Sequence, residues 1–137
     1  MDESLLRDIL EEHARTPHGG GVIDNPTITG NWVSQKTGNR CQLDAKVEDA
    51  KIIELSAKVE GSALAKACAS IMCTELVGYS LNEALQAHAM VLDWLDHSIE
   101  PAAWPGDLMV YEALARFPDR LDCAKLCWHA LNSMLEN

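Results

Sequence analysis

Polar and apolar positions follow three different rhythms along this chain. Leu5, Leu6, Ile9 and Leu10 form one stripe at helical spacing, with Asp8 and Glu11 opposite. That predicts an amphipathic helix from Leu5 to about Arg15, capped by Ser4. Residues 16–30, TPHGGGVIDNPTITG, carry two prolines and four glycines and predict an irregular loop. From Arg40 to Val47 the alternation is strict, with Cys41, Leu43, Ala45 and Val47 on one face. Residues 51–59 repeat it with Ile53, Leu55, Ala57 and Val59 inward. Two half-buried strands follow, joined through Glu48-Asp49-Ala50 as an antiparallel hairpin. A strand near Trp32–Lys36 brings the sheet to three.

At Ser62 the period changes to three or four. Leu64, Ala67/Cys68, Ile71/Met72 and Leu76 predict a helix capped by Ser62 and ended by Gly78, rich in small residues. Another runs from about Leu81 until IEPAAWPG (99–106) breaks it with two prolines. A short helix is expected near Leu108–Ala115. A last one is expected after Phe117-Pro118, with Leu121, Ala124, Trp128, Leu131 and Leu135 on one face. Helix, strands, then helices is the order of an α+β fold: a three-stranded antiparallel sheet packed against about four to five helices. All 137 residues read as one domain.

Composition narrows the function classes. The net charge of −10 argues against nucleic acid, whose affinity comes largely from neutralised phosphates, and against anionic membranes. No apolar run is long enough to span a bilayer. MDESLLRDILEEH is acidic and amphipathic, without the basic and apolar regions of a secretory signal, so a cytoplasmic protein is expected. The five cysteines show no disulfide-framework spacing. Cys41, Cys68, Cys73 and Cys127 are read as small core residues, and His88 and His129 as packing or surface residues. The run Gly19-Gly20-Gly21 lacks the lysine, hydroxyl residue and preceding strand of a phosphate loop.

Residues 106–131, GDLMVYEALARFPDRLDCAKLCWHAL, together with EGSALAKACASIM (60–72), KTGNR (36–40) and RDILEEHARTPHGGG (7–21), resemble the NifU/SufU/IscU-type iron–sulfur scaffold family in order and spacing. The resemblance covers most of the chain. It implies that three cysteines meet at one end of the sheet, bind an iron–sulfur cluster or Zn²⁺ with help from an aspartate, and accept sulfur from a cysteine desulfurase. Cys123 matches the third cysteine. The family's Cys-Gly-Asp is here Thr37-Gly38-Asn39, and its second cysteine is Ser62. Asp122 stands where the SufU branch has lysine and the IscU branch histidine.

One thiol, two hydroxyls and an amide are a poor ligand set for Zn²⁺ or a cluster. This chain alone is therefore expected to hold no metal, with a cluster or Zn²⁺ held only if a second subunit or a partner shares it. Cys123 is the candidate sulfur acceptor or nucleophile, Thr37, Asn39, Ser62 and Asp122 mark the degenerate site, and His13 and His18 are candidate contributors from the glycine loop. The expected function is that of a divergent cluster-assembly protein working with a cysteine desulfurase, another assembly protein or a homo-oligomeric copy. The alternatives are a non-catalytic docking or regulatory module, and an enzyme reusing the emptied pocket for a small polar ligand.

Overall fold

The computed structural model describes residues 3–114 and 120–136. The chain runs α1 (Glu3–Arg15), β1 (Ile28–Val33), β2 (Arg40–Glu48), β3 (Lys51–Glu60), α2 (Ala63–Leu76), α3 (Leu81–His97), a 3-10 turn (Gly106–Val110), α4 (Tyr111–Leu114) and α5 (Leu121–Glu136). The strands pair antiparallel in the order β1-β2-β3. Helices α2 and α5 lie on one face of the sheet, α1 packs on α2, and α3 on α5. This is the α+β architecture that the periodicities predict. None of the described helices is long and apolar enough to cross a membrane.

Alternation drives the sheet. Cys41, Leu43 and Ala45 of β2 are essentially fully buried, under an α2 whose Ala65, Ala67, Cys68, Ala69 and Ser70 are also buried. Small side chains let α2 sit in contact with helices on one side and the sheet on the other. On the far side, Trp128 of α5 donates its indole N–H to the Tyr111 hydroxyl at 2.7 Å, in the interior. Burying both rings satisfies both polar tips.

Four expectations change. Strand β1 starts at Ile28, inside the stretch read as a loop, and ends at Val33 rather than reaching Lys36. The glycine that argued against a strand is what permits it: a Cβ on Gly30 would lie 2.5 Å from the Ala130 carbonyl and 2.6 Å from Met134 N and Cβ. Helix α5 thus crosses directly over the backbone of β1. In β3 the register shifts opposite Lys46/Val47, so Val47 pairs with Ile52. This β-bulge buries Ile52 and turns Ile53 outward, 40 % exposed. Ser4 lies within α1, which begins at Glu3, rather than capping it. The β2–β3 turn is a tight two-residue one, with Asp49 and Ala50 at φ 52° and 61°, the sign pattern of a type I′ turn without its usual Asn-Gly. Phe117, Pro118 and Ala115, expected around the last two helices, lie outside the described residues.

Candidate functional site

Three segments converge at one end of the sheet: the β1–β2 connection (34–39), the β3–α2 junction (61–62) and the start of α5 (Asp122, Cys123). Each is placed by a local rule. Ser62 caps α2 with extended backbone, and its hydroxyl accepts from Ala65 N–H at 3.1 Å. Gly61 and Asn39 touch so closely that a Cβ on Gly61 would lie 2.6 Å from the Asn39 amide. Ser34 folds its connection into a turn, its hydroxyl accepting from Lys36 N–H and Thr37 N–H at 3.1 and 3.2 Å.

Cys123 is half-buried at the centre. Its Sγ accepts from the Ser62 hydroxyl at 3.2 Å and from Asn39 Nδ2 at 3.6 Å. Beside it, one oxygen of Asp122 accepts from the Ser34 hydroxyl at 2.7 Å and from Thr37 Oγ1 at 3.0 Å. Thr37, Asn39, Ser62, Asp122 and Cys123 are therefore all brought together. Asp122 faces the same cluster as Cys123 despite the ~100° between successive helical residues, because the 34–39 connection wraps across the end of α5. Ser34 was not foreseen. It is 4 % exposed and links the turn to Asp122, and a serine opening a Ser-Gln-Lys-Thr-Gly turn was the available signal.

His13 and His18 stand elsewhere. His13 is buried, with Nδ1 2.7 Å from the Ser70 hydroxyl and Nε2 3.0 Å from Asp107 Oδ2. The His18 N–H donates to the same Ser70 hydroxyl at 2.7 Å. Ser70 is eight residues past Ser62 on α2, about 12 Å along the axis. The two histidines thus anchor the glycine loop to the helix layer instead of lining the Cys123 cluster.

The other four thiols are interior. Burial pushes Cys41, Cys68 and Cys73 up to about 12, and Cys127 well above its ordinary value. Cys123 alone among the cysteines is partly exposed.

A resident Zn²⁺ or cluster takes three or four thiolate, imidazole or carboxylate donors. The Cys123 thiol is met instead by a hydroxyl and an amide N–H, and the neighbouring carboxylate oxygen already accepts two hydroxyl protons. Among the described residues no three His, Cys, Asp or Glu side chains are grouped to hold a metal ion. This donor set does not fit such a group. It gives one sulfur two hydrogen-bond donors, the Ser62 hydroxyl and the Asn39 amide.

Residues 6–136 match the family described as the NifU-like N-terminal domain. The zinc-dependent sulfurtransferase SufU of Bacillus subtilis is 27 % identical over 134 residues, covering 94 % of this chain and 88 % of that protein. The iron–sulfur cluster assembly scaffold protein IscU of Streptococcus pyogenes serotype M1 is 25 % identical, covering 96 % and 83 %. A candidate iron–sulfur cluster assembly scaffold of the SUF system from Fervidobacterium islandicum AW-1 shares the fold with a TM-score of 0.86 at 18 % identity, covering 93 % and 94 %. The N-terminal part of a NifU-like protein from Brucella abortus does so with a TM-score of 0.83 at 20 % identity, covering 93 % and 90 %.

Proposed function

The chain belongs to the NifU-like N-terminal domain family, and from that premise we propose that it serves iron–sulfur cluster assembly as a single-thiol sulfur acceptor, not as a self-sufficient scaffold. The observation that carries the reading is the pair of donors on Cys123 Sγ, Ser62 O–H and Asn39 N–H. By the resemblance, Ser62 stands where the family has its second cysteine and Asn39 where it has its aspartate. Hydrogen bonds to sulfur favour its anionic form, which is the nucleophile.

The step is a sulfur transfer. The Cys123 thiolate attacks the outer sulfur of a persulfide on a partner's cysteine. The partner's S–S bond breaks, its thiolate leaves with the electron pair, and Cys123 becomes the persulfide. Ser62 and Asn39 remain in reach of the sulfur before and after. The partner is a cysteine desulfurase, in keeping with the naming of the Bacillus relative as a sulfurtransferase. Asp122 would repel an anionic sulfur, and the Ser34 and Thr37 hydroxyls hold its charge to their own side. In this reading Zn²⁺ or a cluster binds only with ligands supplied by a second chain.

The test is anaerobic purification followed by metal and acid-labile sulfide analysis, then incubation with a cysteine desulfurase and cysteine. The expected result is no metal or sulfide bound by the chain alone, and one added sulfur on Cys123 that is lost in Cys123→Ser. Stoichiometric iron and sulfide, or zinc, lost in that variant would overturn the absence of a self-sufficient site. No added sulfur would overturn the transfer. Desulfurase binding by the unaltered chain with no sulfur added to Cys123 would favour the docking module.

A further inference from the structure

The two edges of the sheet differ. The β3 edge is covered: Ala57 N–H donates to Gly19 O of the glycine loop at 2.8 Å, Ile52 N–H to Tyr79 O at 2.8 Å, and Gly78 N–H to Ile52 O at 2.7 Å, with a bridge between Lys51 and Ser80. At the other edge, the order β1-β2-β3 leaves one long side of β1 without a strand among the described residues. The ladder decides which groups face that side. Ser34 N–H donates to Asn39 O on the β2 side at 2.8 Å. By antiparallel alternation, Trp32, Gly30 and Ile28 also turn their N–H and C=O groups to β2. Thr29, Asn31 and Val33 turn theirs outward, and all three residues are exposed.

Free N–H and C=O groups along an edge template another strand, and proteins commonly blunt them with charge or proline. Strand β1 reads ITGNWV, six residues with neither. Its side chains suit a docking strand as well. Trp32 is 42 % exposed at the rim of the helix-covered face. Its ring is held on His129 with centroids 4.8 Å apart, which lowers the ordering cost of a cross-strand contact. Thr29, Asn31 and Val33 alternate onto the opposite, outer face. The strand then runs into the 34–39 turn, whose Thr37 and Asn39 reach Asp122 and Cys123, so this edge is continuous with the site.

We propose that the β1 edge takes up an extended, uncharged segment of a partner protein as a fourth strand, antiparallel like the rest of the sheet. The outward groups of Thr29, Asn31 and Val33 alternate at a spacing that an extended main chain repeats, and this sets the chemistry of the occupant. Its side chains on the helix-covered face are apolar, one beside Trp32, and those on the outer face are polar, beside Thr29 and Asn31. A second copy of this chain is disfavoured. Helix α5 lies directly over Gly30, where an added Cβ would sit 2.5 Å from Ala130 O. Two β1 strands paired about 4.8 Å apart would press two α5 helices inside the roughly 8–10 Å that packed helices need. Each copy would also bring a charge of −10. The inference goes beyond the sulfur reading and does not rest on sulfur reaching Cys123.

The experiment is amide exchange followed by NMR during titration with a short peptide of alternating threonine and valine on a soluble Gly/Ser tail. In the free chain the amides of Thr29, Asn31 and Val33 should exchange fast, and those of Gly30 and Trp32 slowly. With peptide bound, the three outward amides should slow about fivefold or more, at low and physiological salt alike. N-methylating the threonines, whose amides face β1 in this pairing, should weaken binding about tenfold. N-methylating the valines, whose amides face water, should change it less than about threefold. Those two probes leave the protein's own fold untouched. Asn31→Pro removes one outward N–H and no bond to β2, and should weaken binding about tenfold as well. Cys123→Ser should bind like the unaltered chain, so failure of docking and failure of sulfur transfer are told apart. The proposal is overturned by outward amides already slow in the free chain, by no binding, by equal loss with both methylation patterns, or by a dimer of the chain alone that Asn31→Pro dissolves.

Discussion

Asp122→Ala removes the acceptor that ties the β1–β2 connection to α5. The carboxylate receives the Ser34 hydroxyl at 2.7 Å and the Thr37 hydroxyl at 3.0 Å. Hydrogen bonds to charged groups contribute roughly 1.5–3 kcal/mol each, and an unsatisfied buried donor costs about 1–3. Ser34 is buried and its bond counts in full, whereas Thr37 is exposed and its bond is discounted. Asp122 also sits in the first turn of α5, where an anion adds roughly 0.3–1 kcal/mol. The loss is about 2 kcal/mol. Unfolding entropy near 2.1 cal/mol/K per residue over 137 residues is about 0.3 kcal/mol/K, so Tm falls by about 7 °C. Asp122→Asn keeps one acceptor oxygen and should lose about half as much. Thermal unfolding followed by circular dichroism reads both. A change below about 0.5 kcal/mol for Asp122→Ala would refute the claim that this carboxylate clasps the site's segments together.

Gly30→Ala forces a Cβ into the backbone of α5 and should cost about 2–3 kcal/mol, read as a lowered denaturation midpoint; no loss would mean that α5 does not cross β1 so closely. Iodoacetamide at pH 8 should modify one cysteine in the folded chain, Cys123, and all five in denaturant, because burial raises the other four; rapid labelling of a second cysteine would contradict that burial. Ser62→Ala should slow the labelling of Cys123 and lower stability by about 1 kcal/mol through the lost helix cap, and an unchanged rate would remove Ser62 from any part in activating sulfur. His88 and His129 are held below the usual 6.5 first by burial. The unfolded chain therefore binds more protons as pH falls below 6.5, and stability should decline there while staying flat above it. His88→Gln with His129→Gln should flatten that slope between pH 7 and 5, and an unaltered slope would assign it to other groups.

What could be read from the sequence was whatever obeys a local period. Strand β2 and helices α2, α3 and α5 follow alternation or helical spacing, and Ser62 announces its own cap. The Cys123 cluster was legible because its members sit at matched positions in the resembling family, although no local rule links residue 37 to residue 122. The misses came from long-range contacts. Gly30 reads as a breaker until α5 is laid across it, and Ile53 reads as core until a bulge moves it outward. His13 and His18 seemed free to approach Cys123, but Ser70 and Asp107, distant in sequence, hold them on the helix layer.

The contact between Ser62 Oγ and Cys123 Sγ at 3.2 Å also bears on ancestry and engineering. Exchanging that one oxygen for sulfur, Ser62→Cys, places two thiols side by side where the starts of α2 and α5 meet. The distance between this chain and a dithiol centre is then a single atom. Lineages and designers can cross it in either direction without rebuilding a loop.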